Sequence, residues 1–262
     1  MKAFFWMWRQ REMIKALVKN DLKSRYAGSF FGLVWAFVQP VMTILVFWYV
    51  FELGFRTAPV NNVRFILWFI PAYIPWVYFQ DAVIGTSNCL REYSYLVKKI
   101  KFPVHVLPAV KILSSLVIHS FFIVFMIVIF FIYRYHLSVL TFQMAYYIAA
   151  MTFLLAGLGF LMSAVAVFMK DFTQIINILL QLGFFMIPVF WNEADMKPDV
   201  VMVLKLNPVF YIVQGYRDSL LDGVPFWEHP LYTAYYWIVS GILFAAGAGL
   251  FKKSRKHFAD LI

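Results

Sequence analysis

Six stretches of this 262-residue chain are long, apolar and free of Asp, Glu, Lys and Arg: 33–51, 65–80, 112–132, 144–169, 172–191 and 231–251. About 20 apolar residues in a helix cross the ~30 Å hydrocarbon core of a bilayer. A core helix of that length in a soluble domain would show charge on its outer side. Only 14% of the residues are charged, against about 25% in soluble domains. The pattern points to an all-α integral membrane protein with six transmembrane helices, at 31–53, 65–85, 112–133, 144–169, 172–191 and 231–251. The short second run is carried through Asp81 to Gly85 to reach spanning length.

Orientation follows from Lys and Arg in the loops, which collect on the cytoplasmic side. With six spans, 17 of the 23 basic residues fall on the side of both termini and six (Arg56, Arg64, Arg134, Lys197, Lys205, Arg217) on the other. Both termini are therefore expected in the cytoplasm. Topology and anionic lipid account for the net charge of +10, so a nucleic-acid partner is not needed. The early cluster "FFWMW" is too short for a signal peptide and has no small-residue cleavage site behind it. A single cysteine, Cys89, makes neither a disulfide framework nor a thiolate metal cluster.

The first 30 residues read as an interfacial helix. Lys15, Lys19 and Lys23 recur every four residues, Arg25-Tyr26 follow, and Met13, Ile14, Leu17 and Val18 lie mostly opposite the lysines. Such a helix lies along the membrane surface, with Trp6 and Trp8 as anchors. A plain anchor and a helix that also packs on a cytoplasmic partner are both consistent with this pattern.

Several spans are locally polar or interrupted. Gln39-Pro40 falls in the first third of span one, and Pro71 and Pro75 in span two. Proline costs roughly 3 kcal/mol inside a helix in water. In a bilayer, neighbouring helices or water can satisfy the freed carbonyl. In the fifth run, Gln174, Asn177, Gln181 and Pro188 fall within an arc of about 60° at 100° per residue. A polar stripe of this kind is costly against lipid, so it faces other helices or a water-filled path. Gly159 and Ser163, and the ladder Gly241, Ala245, Gly249, are four-residue spacings that let helices approach closely.

Two loops carry structure of their own. In the outer loop, 192–230, Pro198 opens one short helix, and Asn207-Pro208 (N-cap and first position) opens a second that stops at Gly223. Arg217 and Asp218, in that second helix, read either as a functional pair or as solvated loop charges. The second loop holds "LREYSYLVKK", a short helix at 90–98 that ends before Phe102-Pro103. A basic helix projecting into the cytoplasm suits docking into a partner's groove.

No G-x-x-x-x-G-K-[ST], G-x-S-x-G or H-E-x-x-H occurs, and no Cys/His cluster. No catalytic residue, metal site or cofactor is therefore expected in this chain. His119 stands alone in span three and reads as a hydrogen-bonded packing residue. Without a carboxylate relay in any span, proton coupling has no obvious route. The energy must come from elsewhere.

In its ordered set of motifs the chain resembles the permease subunits of ABC type-2 exporters, in particular those that export lipid-linked polysaccharides (O antigen, capsule, teichoic acid). The carrying residues are Arg25-Tyr26, Ser29, Gly32, Trp35 and Pro40; Phe102-Pro103 and Pro108; Phe168 to Asp171; Pro188; and Asn207-Pro208. Two positions depart from the common pattern: Phe31 in place of Leu, and Lys170 in place of Arg before Asp171. Asp171 and Gln174 keep a capping-box spacing.

The resemblance implies a multi-pass protein of a bacterial plasma (inner) membrane. Two copies would work with two copies of a separate ABC ATPase, which binds the ATP and Mg. Leu90, Arg91, Glu92, Tyr93, Tyr95, Leu96 and Lys98 would form the coupling helix on that ATPase. Asn207, Pro208, Arg217 and Asp218 would belong to an outer gate. Trp35, Gln39, Pro40, Trp48, Tyr73, Trp76, Gln174, Asn177 and Gln181 would line the path of the polysaccharide. Two alternatives remain at this level: a type-2 permease for a small molecule or lipid, and a membrane enzyme acting on a lipid-linked sugar.

Overall fold

The computed structural model describes residues 10–25, 27–55, 63–99, 102–169 and 171–262. Trp6, Trp8, Tyr26 and Lys170 lie outside the described residues. Eleven α-helices follow in chain order among the described residues: α1 Arg11–Ser24, α2 Trp35–Trp48, α3 Phe65–Glu92, α4 Ser94–Val97, α5 Val106–Ile132, α6 Met144–Phe168, α7 Phe172–Phe185, α8 Pro198–Leu204, α9 Pro208–Arg217, α10 Pro230–Ser254 and α11 Phe258–Leu261. A 3₁₀ turn, Gly32–Val34, leads into α2, and π-helical turns prolong α2 to Gly54 and α9 to Asp222.

Four helical stretches are long and apolar enough to cross a membrane: Gly32–Gly54, Val106–Ile132, Val139–Phe168 and Pro230–His257. They make this a multi-pass membrane protein. The helix that organises the molecule is a different one. α3 has 28 residues, about 42 Å at 1.5 Å per residue, and 19 of them are buried. It packs against α5, α6, α7 and α9. A helix apolar around most of its circumference is a central post rather than a lipid-facing wall. It runs unbroken through Pro71 and Pro75 and past Gly85 to Glu92.

Around this post, α10 packs along α6 at very close range. A Cβ on Gly247 would stand 2.3 Å from the Gly157 carbonyl oxygen, and one on Gly157 2.7 Å from the Phe244 nitrogen. The ladder expected on α10 is therefore not the packing face. Gly241 and Gly249 have nothing within 4 Å of a built Cβ, and Ala245 is exposed. Contact falls instead on Gly247, the small residue that α6 actually faces.

Two other expectations change. The fifth run is helical only to Phe185 and then turns, with Ile187, Pro188 and Val189 buried. Pro188 excludes Ile187 from the helical region and Gly183 weakens the last turn, so a helix to Trp191 is not available. Asp171 occupies the N-cap of α7 without a side-chain hydrogen bond, so the capping box does not form. The helix starts instead on backbone bonds from Gln174 and Ile175 to the Asp171 carbonyl.

Candidate functional site

At the end of the molecule where α1 packs, five charged side chains from three helices and one tyrosine meet. Asp21 and Arg25 are one helical turn apart, and Arg25 Nε donates to Asp21 Oδ2 at 2.9 Å. The same guanidinium reaches α3, where Nη1 donates to both oxygens of Asp81 at 3.0 and 2.8 Å. Lys111 of α5 pairs with Asp21 Oδ1 at 2.6 Å and also contacts Glu92. Tyr93 donates its hydroxyl to Asp21 Oδ1 at 2.9 Å, and Ser115 donates to Asp81. Asp21 is almost wholly buried, whereas the Asp81 side chain is 40% exposed and faces a polar cavity of about 550 Å³. Burial raises the Asp21 pKa, but the Arg25 and Lys111 charges outweigh it and hold the carboxyl below its usual range.

This cluster anchors the segment expected to dock a partner. The expected helix at 90–98 is divided: Leu90, Arg91 and Glu92 form the last turn of α3, Tyr93 breaks it (φ −101, ψ 30), and α4 covers Ser94–Val97 only. Leu90, Tyr93, Leu96 and Val97 are buried against α6, α10 and the Phe258 ring. Arg91 Nη2 donates to the Ala166 and Met169 carbonyls, closing the C-terminal end of α6. Glu92, Tyr95 and Lys98 form the outward face. The lysines of α1 (Lys15, Lys19, Lys23) are exposed. Ile14 and its apolar neighbours pack on Val106 and Val110 of α5, so the apolar face of α1 is covered by this chain.

Between α2, α3 and α7 lies a groove of about 530 Å³ lined by Tyr73, Trp76, Asn177 and Gln181, with Thr43, Gln80 and aromatic rings around them. A neighbouring cavity of about 310 Å³ between α2, α3 and α5 takes in Trp35, Gln39, Pro40 and Asp81, and shares Tyr73 and Gln80. Pro40 sits inside α2 without ending it, and Thr43 Oγ1 donates to the Gln39 carbonyl at 3.0 Å. Seven of the nine expected path residues thus border one of two joined cavities. Gln174 and Trp48 line neither: Gln174 is exposed, and the Trp48 indole nitrogen is buried without a hydrogen-bond partner among the described residues.

At the other end, Asn207 Oδ1 accepts from Val209 N at 3.0 Å and Pro208 takes the first position of α9. This helix does not lie in solvent. Its residues Val209 to Val213 are buried, and it enters the space between α3 and α6. A Cβ on Gly215 would stand 2.1 Å from the Tyr147 ring, so only glycine admits that ring. Arg217 is 3% exposed, correcting the view of it as a solvated loop charge. Its guanidinium lies 3.6 Å from the Trp68 ring centre, with Nε donating to the Trp68 carbonyl (3.3 Å) and Nη2 to that of Val189 (3.4 Å). Asp218, also buried, accepts instead from Gln214 Nε2 at 2.9 Å. His119 bonds the Tyr216 hydroxyl at 2.9 Å and stacks on Tyr78, tying α9 to α5 and α3.

Two neighbouring cavities with aromatic and amide linings therefore lie among α2, α3, α5 and α7, with the ion-paired cluster and the 90–98 segment at one end of α3 and α9 packed near the other. Residues 12–221 match the family described as ABC-2 type transporter. The chain belongs to that family. It is 28% identical over 266 residues to the O-antigen export system permease protein RfbA of Myxococcus xanthus, covering 98% of this chain and 97% of the relative. Two permeases of the same name from Klebsiella pneumoniae are 24% and 22% identical, each across 96% of this chain and 95% of theirs.

The family assignment gives the clusters a context and also exposes what the sequence reading overlooked. Asp21, the centre of the ion-pair network, drew no attention because one acid in a basic segment looks solvated. Its i,i+4 relation to Arg25 was the available signal. Lys111 counted only as a topogenic charge. Trp68, under Arg217, and Phe258, under the docking segment, had no local signal at all.

Proposed function

We propose that this chain is the membrane-spanning subunit of an ATP-driven exporter that moves a lipid-linked polysaccharide of the O-antigen class across the plasma membrane of a bacterium. The aromatic and amide lining of the α2–α3–α7 groove is the observation that carries the reading. Flat rings and amides contact sugar faces and hydroxyls, and a groove that lacks fixed charge holds no segment of a moving polymer tightly. The names of the relatives, aligned nearly end to end, support the substrate class.

In this reading α3 and α7 complete six spans and both termini are cytoplasmic. Two copies pair with two ATPase subunits, which bind the ATP and Mg. Glu92, Tyr95 and Lys98 present the docking face, with Leu90, Arg91, Tyr93 and Leu96 as its support. α9, with Asn207, Pro208, Arg217 and Asp218, stands at the outer mouth. Trp35, Gln39, Pro40, Tyr73, Trp76, Asn177 and Gln181 border the path.

Deleting the gene and extracting lipid-linked glycans tests the function. Long polymer retained on its lipid inside the cell, with surface polymer lost, is the expected outcome. Unchanged surface and intracellular glycans would refute the polysaccharide substrate and favour a small-molecule or lipid permease of the same family.

A further inference from the structure

Two arginines at the end of the molecule opposite α1 stand where local backbone rules favour other residues. Arg64 is the N-cap of α3, with extended φ and ψ and no side-chain cap hydrogen bond. Asn, Asp, Ser or Thr would cap that end, and a cation there opposes the helix dipole. Arg134 ends α5 with φ +53, the sole positive φ at a non-glycine position among the described residues. Its geometry is a Schellman closure, with Arg134 N bonded to the Phe131 carbonyl, Tyr135 N to the Phe130 carbonyl, and the Phe130 and Tyr135 rings in edge contact at 5.4 Å. Glycine is the usual residue at that position because a side chain is strained there. A single such departure has little meaning. Two arginines that both depart, and that face the same cleft, indicate a common purpose.

Arg64 and Arg134 line one cavity of about 500 Å³, together with Val63, Leu67, Ile132, Tyr133 and Tyr135. The Arg64 guanidinium lies 5.2 Å from the Tyr133 ring centre. Both arginines are exposed, and neither is ion-paired among the described residues. Glu52 is turned to the backbone, accepting from Ile66 N in the first turn of α3 at 3.3 Å. Two like charges on one cleft repel each other until an anion sits between them. Directly beyond the cleft, Ile132, Val128 and Val124 are exposed at four-residue spacing, forming an apolar strip along α5.

We propose that this cleft binds the phosphate headgroup of a membrane lipid, with Arg64 and Arg134 on the phosphate and the lipid chain along the Val124–Val128–Ile132 strip. Guanidinium forks match phosphate oxygens, and the tyrosines and aliphatic side chains suit the glycerol region. The site depends on α3 and α5 reaching the membrane surface and not on the identity of the exported substrate, so it stands or falls separately from the export reading.

The test uses the full-length chain purified in neutral detergent, with phosphatidylglycerol, diacylglycerol of the same chains and inorganic phosphate as probes, read by native mass spectrometry and thermal unfolding. The chain is expected to bind phosphatidylglycerol well above diacylglycerol. Arg134→Gly relieves the strained backbone, so it should leave Tm unchanged or higher while weakening phosphatidylglycerol about tenfold, and Arg64→Gln should weaken it by about as much. If both variants keep wild-type affinity, or if inorganic phosphate binds as tightly as the lipid, the proposal is overturned. Because Arg134→Gly removes strain, it remains informative even if Arg64→Gln fails to fold.

Discussion

α3 is held at its two ends by opposite means. Near α1, charged groups from α1, α3 and α5 satisfy one another: Asp21, Arg25, Asp81, Lys111 and Glu92 form a chain of ion pairs, part of it open to a polar cavity. Near α9, Arg217 has a tryptophan face and two backbone carbonyls, and the rest is ring packing around Gly215 and Tyr147. Buried charges tolerate the loss of a partner poorly, and close-packed rings resist any change of volume. The end near α1 is thus held by charge and the end near α9 by packing.

Substitutions at each end sharpen this contrast. The largest effect is expected from Gly215→Val, whose side chain cannot coexist with the Tyr147 ring. Overpacking of this kind costs on the order of 3 kcal/mol or more, and a fall in Tm and in yield from the membrane would register it. A wild-type Tm would mean that α9 sits elsewhere. Asp21→Ala comes next, since it removes the buried carboxylate shared by Arg25 and Lys111 and leaves them Asp81 and Glu92; removing one member of a buried pair costs up to about 3–5 kcal/mol. Asp21→Asn, which keeps the volume and removes the charge, should lose nearly as much. A near wild-type Tm for Asp21→Asn would argue that packing and not charge holds α1 in place.

Arg217→Met keeps much of the volume on Trp68 while removing the charge, and a loss of roughly 1–2 kcal/mol is expected from the cation–π contact and the two carbonyl bonds. A loss as large as that of Asp21→Ala would erase the distinction between the two ends. The smallest effect concerns pH. With its folded pKa lowered, Asp21 contributes stability at every pH above its unfolded value, and that contribution is lost only as pH falls through the folded value. Thermal stability should therefore be flat on this account from pH 5 to 8 and decline only in stronger acid. A midpoint near neutrality would assign the pH dependence to another group.

Much of the fold was legible in the sequence. Charge-free runs gave the apolar helices, and Asn207-Pro208 marked the start of α9 to the residue, because caps and prolines act through their nearest neighbours. Residues bordering the two cavities were legible as types, aromatic and amide, because polar groups in apolar helices need partners. Where local rules left alternatives, the structure differs: the capping box at Asp171 does not form, the helix drawn over 90–98 divides at Tyr93, and the Gly241 ladder is not the face that packs within this chain.

Sequence alone determined that this chain lives in a membrane, where α3, α6, α7 and α9 start, and which side chains are too polar for lipid. These are properties of a single segment and its solvent. Only the tertiary structure decided that α3 is the post, that Gly247 and not Gly249 meets Gly157, and that Asp21 and Arg217 are buried. Those outcomes depend on which helix lies opposite, since burying a charge or omitting a Cβ gains nothing until the partner supplying the bond or filling the space is in position.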